Sequence, residues 1–337
     1  KLAEGKSLSL DEMREAAEFL FSEEVSDSEI AAFLIGITVK GGTSNEVAGL
    51  VEVLRTYAVD FPKHFPNAMD NCGTGGDGSQ SFNISTTTAF VLAGAGVKVA
   101  KHGNRSVSSK TGSADVLEHL GVALDFSVME VEELLDDIGI AFLFAPHVHP
   151  RLKRITKVRK ELKVPTIFNL IAPLTNPVEL DTQLLGIYQR DRLEMIAAAL
   201  HKLGRNRAVV VNGAGYMDEA SLAGENHVVL MDQGELKSLI LTPEDVGLNR
   251  YPLDAVRGGD AETNAIILQR VLEGEEGAYY ETVLFNAALG FLANGKVDSV
   301  KEGVQLAKET IKSGAALQKL QDLIQYSQNR RKGAVHS

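Results

Sequence analysis

Apolar positions in the first sixty residues recur at helical spacing in three blocks: Met13, Ala17, Leu20; then Ile30, Phe33, Leu34, Ile37; then Val47, Leu50, Val51, Leu54. Each block follows a hydroxyl residue with glutamate three positions on (Ser9…Glu12, Ser26…Glu29, Thr43…Glu46), the reciprocal cap that satisfies free amides at a helix start. Gly41-Gly42 ends the second block, and Phe61-Pro62-Lys63-His64-Phe65-Pro66 stops the third and reads as a linker. The pattern predicts a small helical domain over 1–64. Beyond it the period changes. Short apolar runs at 68–72, 97–100, 140–144, 184–188 and 208–211 alternate with helical stretches near 85–95, 113–120, 127–138 and 191–203. This is the rhythm of a large α/β domain, 65–337, with a mostly parallel central sheet. Asp232-Gln233-Gly234 between two apolar runs predicts a hairpin at the sheet edge, and helices follow at 260–273, 278–293, 297–313 and 315–326. The polar tail from Ser327 onward is expected to fray.

Composition narrows the functional classes. The 337 residues carry 34 Lys+Arg against 45 Asp+Glu, a net charge of −11, which opposes general nucleic-acid binding. The single cysteine, Cys72, allows no internal disulfide and implies a reducing compartment, with the cytoplasm as the default. No apolar run approaches the ~18 residues of a membrane helix, and the first residues lack the apolar stretch of a secretory signal. One local exception to the acidity is the helix begun by His149-Pro150, with seven bases (Arg151, Lys153, Arg154, Lys157, Arg159, Lys160, Lys163) and one acid, Glu161.

Three segments carry candidate chemistry. Gly73-Thr74-Gly75-Gly76-Asp77-Gly78 follows a predicted strand. It matches the dinucleotide pattern GxGxxG only formally, because Lys98 stands where an acid belongs, and no Gly-Lys-Ser/Thr completes a phosphate loop. What remains is a turn whose amides approach an anion, leading to a helix start at Asn83-Ile84-Ser85-Thr86 whose free N–H groups favour phosphate; the alternative is a tight strand-to-helix turn. The second segment, 101–113, holds three fixed cations, five hydroxyls and no acid, and follows the next strand to the same sheet end. Two such loops point to a substrate with more than one phosphate. The third, Gly215-Tyr216-Met217-Asp218-Glu219, offers adjacent carboxylates suited to Mg²⁺ bridging to phosphates. His147 and His149 lack a third ligand for zinc, Cys72 lacks a partnering base, and no GxSxG surrounds the serines.

Taken together, Asp70-Asn71-Cys72-Gly73-Thr74-Gly75-Gly76-Asp77-Gly78, Phe82-Asn83-Ile84-Ser85-Thr86 and 101–115 resemble the anthranilate phosphoribosyltransferase family. Phe144-Ala145-Pro146-His147, Arg159-Lys160-Glu161-Leu162, the block 168–177 and Asp218-Glu219 extend the resemblance in the family's order. It implies a nucleoside phosphorylase / phosphoribosyltransferase-type fold, a homodimer whose helical domain is completed by about 150–175, and binding between the two domains. It also implies transfer of phosphoribose from phosphoribosyl pyrophosphate (PRPP) to the amine of anthranilate in tryptophan synthesis, with two Mg²⁺ ions. By motif position, Gly73, Gly76, Asp77, Ser81, Asn83, Ile84, Ser85, Thr86, Lys101, His102, Gly103, Asn104, Arg105, Ser106, Val107, Ser108 and Ser109 would hold the donor, with Ser113 nearby. Ser85, Asp218 and Glu219 would hold the metals. Gly73, Asn104 and Arg159 would contact anthranilate, Arg159 through the carboxylate. No residue is assigned as an acid or base, since an aromatic amine is already neutral near pH 7.

The chain departs from the family's common pattern at Asn212, where His is frequent, and at Arg151-Leu152. Three rivals are distinguishable: a pyrimidine nucleoside phosphorylase of the same fold, a non-catalytic nucleic-acid-binding relative, and a nicotinamide dehydrogenase. Metal-free phosphorolysis, salt-dependent DNA binding without turnover, and nicotinamide binding would respectively favour them.

Overall fold

The computed structural model describes residues 1–106 and 110–334. All three amino-terminal capping boxes form, opening α1 (Leu10–Leu20), α2 (Asp27–Lys40) and α3 (Ser44–Thr56). Of the predicted apolar positions only Phe33 stays partly exposed; the others are buried. The segment after α3 is irregular but fastened, since Val59 donates its amide to the Val148 carbonyl and Phe61 and Phe65 enter the core of the α/β part.

From there β1 (Met69–Asp70), α4 (Ile84–Gly94), β2 (Val99–Gly103), α5 (Ser113–His119), α6 (Val128–Glu133) and β3 (Ile140–Phe144) build one half of the sheet. The helix predicted over 127–138 finishes as a π turn, Leu134–Ile138. Next come α7 (Ala145–Val148), α8 (Lys153–Leu162) and α9 (Phe168–Ile171), then β4 (Thr182–Gly186), α10 (Leu193–Lys202), β5 (Arg207–Asn212) and the hairpin β6 (Asn226–Asp232) and β7 (Glu235–Leu241). Gln233 and Gly234 both have positive φ, the tight-hairpin geometry, and β7 is the edge strand as expected. The order is β3-β2-β1-β4-β5-β6-β7, parallel from β3 to β5 and antiparallel beyond. Chain order reverses beside β1, so the ends of β1 and β4 form the switch point where such sheets bind ligands.

The predicted first strand is only two residues long, and its end carries polar side chains: Asp70 Oδ1 accepts the His102 amide at 3.2 Å and Asn71 Nδ2 donates to the Ser85 carbonyl at 2.8 Å.

Two apolar cores flank the sheet. One combines α4 with α11 (Ala261–Leu272), α12 (Ala278–Asn294), α13 (Val300–Lys312) and α14 (Ala315–Ala334). The other joins α1–α3 to Ile155, Val158, Ile167, Phe168 and Leu174, and to Leu185, Val210 and α10. Arg154 and Lys157 of α8 pair with Asp27 of α2, which uses part of the basic helix inside the fold.

The tail requires a correction. Residues to Ala334 continue α14, because Ser327 is fully buried, with its Oγ accepting the Ala123 amide at 3.0 Å, and Arg330 pairs with Asp125 and Glu130. Its polar composition hid a docked face. Among the described residues no helix is long and apolar enough to cross a membrane.

Candidate active site

The three segments singled out in the sequence follow β1, β2 and β5, so parallel pairing delivers all of them to one end of the sheet. Hydrogen bonds join two of them directly. Gly75 donates its amide to Asp218 Oδ2 at 2.6 Å, and the Asp218 amide donates to Asp77 Oδ2 at 3.3 Å. Gly75, Gly76 and Gly78 all have φ near +70 to +80°, where a side chain would be strained, and this turns the loop's amides inward. Asp77 Oδ1 accepts the amide and hydroxyl of Ser79, whose Oγ accepts the Ser81 amide, so Ser81 belongs to the same turn.

The start of α4 differs from the expectation of free amides. Glu219 Oε1 accepts the Ser85 amide at 3.1 Å, so a protein carboxylate stands where an anion is expected. Asn83 makes no side-chain cap; its Oδ1 accepts from Asn264 and its Nδ2 donates to the Thr111 carbonyl, tying the helix start to the second loop. Ile84 and Thr86 point into the core, the Thr86 hydroxyl without a hydrogen-bond partner among the described residues.

Asp218 and Glu219 are half-buried, and their charge is incompletely matched. Burial pushes Asp218 well above the ordinary carboxylate range, with Asp77 and Glu219 adding repulsion. Burial also pushes Glu219 up to about 7, against the pull of Lys101 and with Asp77 reinforcing it. Lys101 is 3 % exposed, its Nζ donating to the Asn71 carbonyl at 3.3 Å, so this cation lies beneath the site. Among the described residues no three His, Cys, Asp or Glu side chains form a group that could hold an ion.

In the second loop, Gly103 lies where a β carbon would collide with Ser113 Oγ, and that hydroxyl donates to the Asn104 carbonyl at 3.2 Å. Asn104 Oδ1 accepts the Arg105 amide at 2.7 Å. The Arg105 guanidinium is held on Asp115 and Glu118 instead of being aimed at the glycine loop. Ser106 and Gly112 both donate amides to Asp115 Oδ2, so Asp115 anchors the loop. Val107, Ser108 and Ser109, expected to touch the donor, lie outside the described residues. His102 is buried against His149, ring centroids 5.2 Å apart; burial lowers His102 to about 3 and His149 to about 4, so both rings are neutral. Burial and Asp70 raise the Cys72 thiol, which is inert.

Arg159 lies on α8, with Nε donating to Thr166 Oγ1 at 3.2 Å and Nη2 to Asn169 Oδ1 at 3.3 Å, its guanidinium 5.2 Å from the Phe168 ring centre. Burial lowers its pKa, and among the described residues no carboxylate pairs with it. No polar contact among the described residues joins it to the glycine loop. The two are linked through the segment after α9, where the Pro173 carbonyl faces Cys72 Sγ at 3.8 Å.

Sequence reasoning missed Gly186 and Gly213. With Gly73 they let the 218–219 backbone cross the ends of β1, β4 and β5: a β carbon at Gly73 or Gly186 would overlap Asp218, and one at Gly213 the Glu219 carbonyl. Gly186 interrupts the apolar run 184–188 and Gly213 follows closely on the run 208–211, the one available signal. Asp115 was legible in its three-residue spacing from Gly112.

Comparison with known proteins agrees with this architecture. Residues 1–58 match the helical bundle domain of a glycosyl transferase family, and 65–317 match its a/b domain. The anthranilate phosphoribosyltransferase of Exiguobacterium sibiricum is 62% identical over 323 residues, 96% of this chain and 95% of the relative. That of Listeria innocua is 59% identical, covering 97% and 96%. The crystal structure of the Thermus thermophilus anthranilate phosphoribosyltransferase superposes with a TM-score of 0.92 at 42% identity, covering 97% of this chain and 98% of that one. The Saccharomyces cerevisiae enzyme, solved in complex with PRPP and Mg, gives 0.86 at 27% identity, covering 96% and 94%. A site built on two loops and an acidic turn at the switch point, and a likeness that runs through both domains, lead to one conclusion: the chain belongs to the anthranilate phosphoribosyltransferase family.

Proposed function

We infer that this protein transfers the phosphoribosyl group of PRPP to the amine of anthranilate, releasing pyrophosphate, a step of tryptophan biosynthesis. The observation that supports it most strongly is the pair Asp218 and Glu219, two adjacent half-buried carboxylates crowded against Asp77 and set against the amides of Gly75 and Ser85, with burial raising the pKa of both. Such a pair fits Mg²⁺, which binds through one or two carboxylates and completes its shell with water and phosphate oxygens rather than a protein cage. Ser85, Asp218 and Glu219 would hold the cation, in our reading two ions. Bound there, Mg²⁺ supplies the positive charge that stabilises pyrophosphate as it leaves.

The chain's own groups do the rest. Amides of the Gly73–Asp77 turn, with Ser81 and the 101–109 and Ser113 hydroxyls and cations, position the diphosphate and ribose. The amine nitrogen forms its bond to the ribose anomeric carbon as the carbon–oxygen bond to pyrophosphate breaks, the electron pair leaving with pyrophosphate and the amine then releasing one proton. No side-chain base is required. Holding the amine within reach supplies much of the acceleration. Arg159, a part-buried guanidinium without a carboxylate partner among the described residues, takes the anthranilate carboxylate, with Gly73 and Asn104 as further contacts. In our reading a helical domain of 1–64, completed by about 150–175, stands beside an α/β domain of 65–337 with substrates between them, and the assembly is a cytoplasmic homodimer. The Saccharomyces cerevisiae enzyme solved with 4-fluoroanthranilate supports the acceptor class.

Loss of anthranilate fluorescence on adding PRPP, dependent on Mg²⁺, tests the reaction; phosphorolysis of thymidine without Mg²⁺ would replace it with the phosphorylase reading. Arg159→Ala should raise the anthranilate KM by about 100-fold while the PRPP KM moves little, since a charge-assisted bidentate contact contributes roughly 2–3 kcal/mol. Equal changes in both constants would remove Arg159 from the acceptor site.

A further inference from the structure

The turn that presents Asp218 and Glu219 is braced from outside by three residues that touch neither acid. Asn212, at the end of β5, is fully buried and uses its whole amide: Nδ2 donates to the Ile187 carbonyl at 2.8 Å and the Tyr188 carbonyl at 3.1 Å, and Oδ1 accepts from Arg190 Nε at 2.8 Å. The Arg190 guanidinium lies 4.6 Å from the centre of the Tyr216 ring, cation-π distance. Tyr216 has φ +61°, a left-handed step that costs a non-glycine residue about 1–2 kcal/mol, and its side chain is 59 % exposed. An exposed aromatic residue in a strained step, two positions before Asp218, needs something to hold it there. Next to it the Gly213 amide donates to the Met217 carbonyl at 2.8 Å, closing the turn.

We propose that Arg190, oriented by Asn212 and stacked on Tyr216, is a positioning residue for the acidic turn: it holds the left-handed step at Tyr216 that delivers Asp218 to Gly75 and Glu219 to Ser85, and thereby sets the affinity for the divalent cation. This rests on the reading that the two acids hold that cation. The brace ties the turn after β4 to the turn after β5, two of the three strand ends that the 218–219 backbone crosses. It acts on the cation through backbone geometry alone, because neither Arg190 nor Tyr216 supplies an oxygen ligand to it.

The test uses Mn²⁺ with pyrophosphate as the probe and the full chain. Binding is read by calorimetry, and hydrogen exchange of 211–221 is read without added cation. Arg190→Ala should weaken Mn²⁺ roughly tenfold, the usual scale for a group that orients a ligand. It should also speed exchange of 211–221 while leaving the rest of the chain and the anthranilate KM unchanged. Tyr216→Ala should do the same, and Tyr216→Phe, which keeps the ring, should restore both readouts. Wild-type exchange and Mn²⁺ affinity in Arg190→Ala, alongside loss of Mn²⁺ binding in Asp218→Asn, would overturn the brace and leave the metal reading standing. Unchanged Mn²⁺ affinity in Asp218→Asn would overturn both.

Discussion

Asp218→Asn is expected to lower turnover by at least about 100-fold, the scale for removing one preorganised charge-stabilising group, and yet to make the protein more stable above neutral pH without added cation. On the proposed role of Asp218, the first effect follows from losing a carboxylate that would hold the leaving pyrophosphate's cation. The second follows from crowding: Asp218, Glu219 and Asp77 share one corner, and burial plus mutual repulsion raise the first two. Glu219 stands at about 7 against an ordinary 4.5, so the folded protein holds this proton more tightly than the unfolded chain does. The associated stability is full below pH 4.5 and is lost as pH rises through 7. At pH 8 the penalty is about 1–3 kcal/mol, allowing for solvent screening of a half-buried pair. An amide at 218 removes one of the charges and still offers an oxygen to the Gly75 amide. Thermal unfolding from pH 5 to 8.5 should therefore show the wild-type Tm falling as pH rises, a flatter profile for Asp218→Asn, and a stabilising increment from Mg²⁺ with pyrophosphate that grows with pH in the wild type only. A variant no more stable than wild type at pH 8 would contradict this origin of the raised pKa values.

The second large effect is expected at a residue without a functional group. Gly186→Ala places a β carbon inside the carbonyl of Asp218, a backbone atom that no rotamer change can move. Strand β4 is paired on both sides, so the acidic turn must shift instead. We expect a cost of about 3 kcal/mol or more, at the upper end for overpacking, together with roughly a 100-fold loss of kcat/KM from displaced ligands. Gly204→Ala is the control: its φ is positive, but it has no neighbour within 4 Å of the added carbon. It should cost about 1–2 kcal/mol, the left-handed penalty alone, and leave turnover intact. Urea unfolding and steady-state kinetics on both variants separate strain from collision.

Much of this was legible in the chain because its signals are local. The Ser…Glu and Thr…Glu spacings fixed three helix starts, and the Gln233-Gly234 step fixed the hairpin. The strand-to-loop rhythm placed the Gly73, Lys101 and Gly215 segments at one sheet end before any contact was visible. What was hidden depends on contacts distant in sequence. Nothing near Ser327 announces that its hydroxyl will meet the Ala123 amide 204 residues away, so a polar tail read as frayed. Arg105 read as one of the loop's cations facing the donor, and its pairing with Asp115 and Glu118 was not visible because both lie beyond the cation- and hydroxyl-rich stretch. The amides at the start of α4 read as free because only the folded sheet brings Glu219 to Ser85.

In the proposed reaction Asp218 and Glu219 hold a divalent cation carrying the diphosphate of PRPP beside the Gly75–Asp77 amides. Anomalous diffraction from crystals grown with Mn²⁺ and PRPP tests it most directly. A peak is expected between these two carboxylates and the diphosphate, with Asp218 turned from the Gly75 amide to the metal; a peak remote from both acids, with PRPP ordered away from the glycine turn, would exclude this arrangement.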